Sequence, residues 1–63
     1  MKNFIVSYMN NTTHLLIVAD DITHEDGVYY IKNMKNKING VGITELADGY
    51  IDSIIEYKEI RAI

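Results

Sequence analysis

Sixty-three residues with no cysteine and a formal net charge of −3 bound this chain to one small domain without disulfides. The acidity counts against a general nucleic-acid binder, whose affinity rests on neutralising phosphates. No apolar run approaches the roughly 18–20 residues a membrane span needs, and the opening residues lack the apolar stretch of a signal peptide, so a cytoplasmic location is expected.

A chain this short buries only about 60% of its unfolded surface. Small scaffolds compensate with disulfides, a metal or a partner subunit. A metal site would have to rest on His14, His24 and carboxylates without a recognisable spacing, so no metal or cofactor is expected. Self-association is the remaining stabiliser, and a homodimer or larger homo-oligomer is expected.

In chain order, the first strand is read over residues 2–9, followed by the polar turn cluster Asn10-Asn11-Thr12-Thr13. The second begins at His14 and runs through Leu15-Leu16-Ile17-Val18-Ala19 towards Thr23, with a bulge expected at Asp20-Asp21. Val28-Tyr29-Tyr30-Ile31 opens the third, on its β-branched and aromatic content. The fourth lies near residues 41–47 and the fifth runs from Tyr50 to about Tyr57. The tail, residues 59–63, keeps Ile60 and Ile63 with little local core to join, which makes it a candidate dimer contact.

The dipeptides Asp26-Gly27, Asn39-Gly40 and Asp48-Gly49 separate these runs. A two-residue type I′ hairpin loop needs positive φ at both central positions, which Asn-Gly and Asp-Gly supply best. Read as such loops, they set the register. Asp26-Gly27 places Ile22 opposite Ile31, Thr23 opposite Tyr30 and Asp21 opposite Lys32. Asn39-Gly40 places Ile38 opposite Val41. Asp48-Gly49 places Ala47, Leu46, Thr44 and Ile43 opposite Tyr50, Ile51, Ser53 and Ile54, with Glu45 against Asp52. The expected fold is all-β, a five-stranded antiparallel meander curled into a small SH3/OB-like barrel or a twisted sheet. The alternative is hairpin–helix–hairpin, in which Thr23 caps a helix carrying Val28, Ile31, Met34, Lys35 and Ile38 on one face, ended by Asn39-Gly40. Gly27 in its first turns would cost about 1 kcal/mol.

Candidate chemistry is sparse. Asp20, Asp21, Glu25 and Asp26 lack the alternating ligand spacing of a calcium loop and read as a solvated loop. His14 and His24 read as surface residues beside turns. Ser7 and Ser53 lie in strand patterns without a nucleophile-elbow context, and Ser53 fits as a cross-strand partner of Thr44. Tyr29 and Tyr30, followed by Lys32, Lys35 and Lys37, form the richest cluster, because aromatic faces and cations on a β surface can hold bases or nucleotides. Alternation puts Tyr29, Lys35 and Lys37 on one face and Tyr30 with Lys32 on the other.

Very short, rich in Ile, Asn and Lys, and without Cys or Pro, the chain resembles small proteins of phages and mobile elements. That resemblance implies a non-enzymatic inhibitor or modulator of a host protein, and it carries no residue over. The first functional expectation is therefore a protein-binding module, with Tyr29, Tyr30, Tyr50 and Tyr57 as partner-binding candidates because tyrosine is enriched at binding hot spots. The second is an oligomer that binds or sequesters a nucleotide-like ligand through Tyr29, Lys35 and Lys37. An enzyme is not expected, since no residue constellation supplies a positioned acid, base or nucleophile.

Overall fold

A computed structural model describes residues 1–58, and the apolar tail lies outside the described residues. The strands are β1 (Lys2–Tyr8), β2 (His14–Ala19), β3 (Asp21–Glu25), β4 (Val28–Lys32), β5 (Glu45–Ala47) and β6 (Ile51–Tyr57). They form two three-stranded antiparallel sheets, ordered β2-β1-β6 and β3-β4-β5. The fold is all-β, and no barrel closes among the described residues. No described helix is long and apolar enough to cross a membrane.

Strand alternation sets the inner face of the first sheet. Phe4 and Val6 on β1 lie opposite Ile17 and Leu15 on β2, and Val6 also lies opposite Ile54 on β6. Phe4, Val6, Ile17 and Ala19 are buried, and Ile31 from β4 and Ile51 from β6 complete the core. Tyr8, Leu15, Ile22, Tyr29 and Leu46 pack around it. Val6 and Ile17 are fully covered, which stabilises the fold by about 1.5–3 kcal/mol for each such side chain.

Two of the three Asx-Gly loops form as read. Asp26 and Gly27 hold φ of 49° and 77°, Asn39 and Gly40 hold 51° and 78°, and both pairs therefore supply the positive φ that a type I′ loop requires. Across the first loop Ile22 faces Ile31, Thr23 faces Tyr30 and Asp21 faces Lys32. Across the second, Ile38 and Val41 form an isolated bridge, with N–H···O distances of 3.0 and 2.9 Å. The first connection is closed by Asn10, whose Oδ1 accepts from the N–H groups of Thr12 and Thr13 at 2.9 and 3.0 Å.

Asp48-Gly49 is a correction. It is no hairpin: residues Asp48–Tyr50 form a 3-10 turn that carries the chain from β5 in one sheet to β6 in the other. Neither residue is among those with positive φ. Asp48 is instead held by tertiary contacts, donating its N–H to the Gly27 carbonyl at 2.9 Å and placing its carboxylate 2.8 Å from His24 Nε2. The expected pairing of residues 43–47 with 50–54 is replaced on both sides. Leu46 pairs with Tyr29 on β4, while Ile54 and Ser53 pair with Val6 and Ser7 on β1. The fourth strand shrinks to Glu45–Ala47, and the second is divided at Asp20 into β2 and β3. The alternative helix does not form, because its residues make the β3–β4 hairpin and an irregular segment after it.

Candidate binding face

The outer face of the first sheet is built by the positions that alternate with the core. Three lie on each strand, nine in all, in three cross-strand rows. The central row runs Leu16, Ile5, Ile55; one flank runs Val18, Asn3, Tyr57; the other runs His14, Ser7, Ser53. Leu16 and Ile55 are 56% and 57% exposed, so the apolar row is open to solvent at both ends. None of the nine is Asp, Glu, Lys or Arg, although those types make up 24% of the chain. A face without formal charge can be dehydrated by a partner at little electrostatic cost, and the central zones of protein interfaces are depleted of charge for that reason.

From this face the sequence names Tyr57 as a binding candidate and weighs His14, Ser7 and Ser53 only singly, as surface or strand residues. Leu16 and Ile55 read individually as strand residues, because their shared face depends on β6 returning to β1. The row of His14, Ser7 and Ser53 was equally hidden. Ser7 Oγ lies 3.1 Å from His14 Nδ1. The pair sits on the open sheet face, and no cavity and no carboxylate bonded to His14 accompany it among the described residues. Its geometry is that of a surface hydrogen bond.

The remaining tyrosines are distributed over other surfaces. Tyr29 is half-buried on β4 and stacks on His24, ring centroids 4.2 Å apart and planes inclined by 19°. One face of that ring is therefore already covered. Tyr30 points to the other side of the second sheet, and Tyr50 stands exposed in the 3-10 turn. The alternation argument linking Tyr29 to Lys35 and Lys37 stops at Lys32, where β4 ends and Asn33 turns the chain at φ 55°. Lys35 and Lys37 belong to the irregular segment beyond, both exposed, and the Lys35 N–H donates to the Val18 carbonyl at 2.6 Å.

The acidic residues serve the bend between the sheets. Asn33 Nδ2 donates to Asp20 Oδ2 at 2.9 Å, and this hydrogen bond is the main reason the Asp20 carboxyl lies below its ordinary value. Burial opposes it as the next largest effect, and the positive charges of Lys35, the N-terminus and Lys32 add lesser effects in the lowering direction. Asp21 accepts from Lys2 Nζ at 3.4 Å and from the Ile22 N–H at 2.9 Å. His24 and Asp48 tie the β3–β4 loop to the 3-10 turn, and with both side chains substantially exposed the pair stabilises by under about 1 kcal/mol. Among the described residues, no group of three or more His, Asp or Glu side chains could hold a metal ion. No protein-family model matches the chain, and no curated protein or solved structure matches it.

Proposed function

We propose that this chain is a small non-enzymatic protein-binding module that inhibits or modulates a host protein in the cytoplasm, docking through the outer face of the first sheet. One observation carries the reading: nine adjacent positions on three strands without a formal charge, crossed by the apolar row Leu16, Ile5 and Ile55, whose two ends are exposed. Contiguous apolar patches of this kind on small soluble domains mark interaction surfaces. Tyr57 at the end of β6 adds the aromatic anchor type favoured at binding hot spots. The inhibitory role is supported by size and composition, which resemble those of small phage and mobile-element proteins. We read the bend at Asp20, which passes one segment from the first sheet to the second, as the corner of a partly open SH3/OB-like barrel. Such folds host many functions, so the reading of the partner rests on the face alone.

The test compares affinity capture from a bacterial lysate by the wild-type chain, by Leu16→Lys/Ile55→Lys and by Tyr30→Ala. The expected result is a protein retained by the wild type and by Tyr30→Ala and lost by the double lysine variant. Circular dichroism confirms that all three are folded. A capture profile identical for all three, or no retained protein at all, refutes the proposal.

A further inference from the structure

The three longest sheet edges are treated differently. At the β2 edge, Asn36 bonds both the Val18 N–H and the Leu16 carbonyl, and the Lys35 N–H bonds the Val18 carbonyl. At the β3 edge, the Ile22 N–H donates to the carboxylate of the preceding residue, Asp21. Among the described residues the β6 edge has no such cover. The Tyr8 N–H donates to the Thr13 carbonyl, so even-numbered residues of β1 turn their backbone groups to β2 and odd-numbered ones to β6. The register then commits Ser53, Ile55 and Tyr57 to β1 and turns the N–H and C=O groups of Ile54 and Glu56 outward. Among the described residues nothing bonds them.

An open edge is a template for a further strand. We propose that a second copy of this chain supplies it: two β6 strands pair antiparallel about a two-fold axis at Ile55, joining the two first sheets into one of six strands. Side-chain chemistry selects this register. Centring on Ile54 would set Asp52 opposite Glu56 of the second copy twice, and centring on Glu56 would oppose the two Glu56 carboxylates. Centring on Ile55 sets Asp52 opposite Lys58 at both ends and Ser53 opposite Tyr57, with no like-charged pair. It also pairs Ile54 with Glu56, so that all four outward groups on each strand are satisfied. Ile55 then meets Ile55 as a non-hydrogen-bonded pair, the closer of the two antiparallel spacings. The apolar row continues across the axis as Leu16, Ile5, Ile55 followed by the same three residues of the second copy in reverse order. A closed isologous contact of this kind is the commonest form of small oligomer, and it supplies the self-association that a 63-residue chain without disulfides calls for.

Sedimentation equilibrium of the full chain reads the dimer directly, and two sets of variants read the register. Asp52→Lys and Lys58→Asp each create like-charged pairs at both ends and are expected to weaken dimerisation about tenfold, while the double swap Asp52→Lys/Lys58→Asp restores it. Because the chain has no cysteine of its own, Ile55→Cys gives a single probe whose Cα separation across the axis suits a disulfide. It is expected to oxidise to a covalent dimer, whereas Ser53→Cys, placed opposite Tyr57, is not. A wild-type chain that stays monomeric at hundreds of micromolar, a double swap that fails to restore the dimer, or Ser53→Cys crosslinking as fast as Ile55→Cys would each overturn the proposal. None of these readouts depends on a heterologous partner, so the proposal stands or falls independently of the binding function.

Discussion

The side-chain amide of Asn36 occupies the place beside Val18 that a neighbouring strand's peptide would fill. Its Oδ1 accepts the Val18 N–H at 2.9 Å while its Nδ2 donates to the Leu16 carbonyl at 2.7 Å. One planar group thus meets the donor and acceptor that β2 presents at its free edge. The irregular segment after β4, which contributes no strand of its own before Glu45, acts as the cover of that edge. Among the described residues the β6 edge has no equivalent amide, which leaves it open to a further strand.

Removing the amide should be costly for its size. Asn36→Ala deletes two hydrogen bonds and leaves a half-buried edge to water, and is expected to destabilise the chain by about 1–3 kcal/mol in urea unfolding. Asn36→Asp keeps the acceptor for Val18 but sets a carboxylate against the Leu16 carbonyl, so it should cost at least as much as alanine despite its closer shape. An unfolding midpoint for both variants equal to that of the wild type would mean that the amide contributes nothing.

The hairpin at Asp26-Gly27 was legible down to its register, because a two-residue loop fixes every pair behind it and the loop chemistry is local. The same argument misplaced Asp48-Gly49. A local turn preference of this kind is worth less than the tertiary bonds that compete for Asp48, whose N–H and carboxylate both go to the β3–β4 loop region, and the β1–β6 ladder then takes Ser53 and Ile54. That single reassignment also explains why the outer face was not legible. Leu16 and Ile55 are 39 positions apart in the chain and become members of one row only through Ile5, which pairs with each. Long-range pairing leaves no mark in a short apolar run, whose alternation is the same whichever strand lies beside it.

Three glycine-to-alanine substitutions separate the true loops from the false one. At Gly27 and Gly40 the backbone is left-handed, with φ of 77° and 78°, so alanine should destabilise by about 1–2 kcal/mol at each. At Gly49 no such φ occurs and nothing lies within 4 Å of an added Cβ. Alanine there should be neutral, or stabilising by up to about 1 kcal/mol through the unfolded state. Thermal unfolding of the three variants orders them, and a loss at Gly49 as large as that at Gly27 would restore the discarded hairpin.

Acid sensitivity should localise to the bend between the sheets. The Asp20 carboxyl lies below its ordinary value of 3.8 in the folded chain, first because Asn33 donates to it. A depressed carboxyl contributes stability that is present above the unfolded value and is lost as the pH falls through the folded one. Asn33→Ala should therefore move the Asp20 titration upward, towards the ordinary value, as followed by carboxyl carbon chemical shifts. Coincident titration curves for wild type and variant would remove the hydrogen bond as the cause.

Adjacent residues on β2 allow the two faces of the first sheet to be weighed against each other. Ile17 is fully buried and Leu16 is 56% exposed. Ile17→Val removes one carbon from a close-packed core and should cost about 0.5–1.5 kcal/mol. Leu16→Ala removes three carbons from a side chain already largely in water and should stay within about 0.5 kcal/mol of the wild type. The smaller deletion is thus expected to be the more damaging, which denaturant unfolding of the two variants decides. If Leu16→Ala proves as costly as a core truncation, the outer face is part of the folding core and its apolar row needs no partner to explain it. If it is neutral for stability and weakens capture of a bound protein, folding cannot account for leucine at that position, and recognition can.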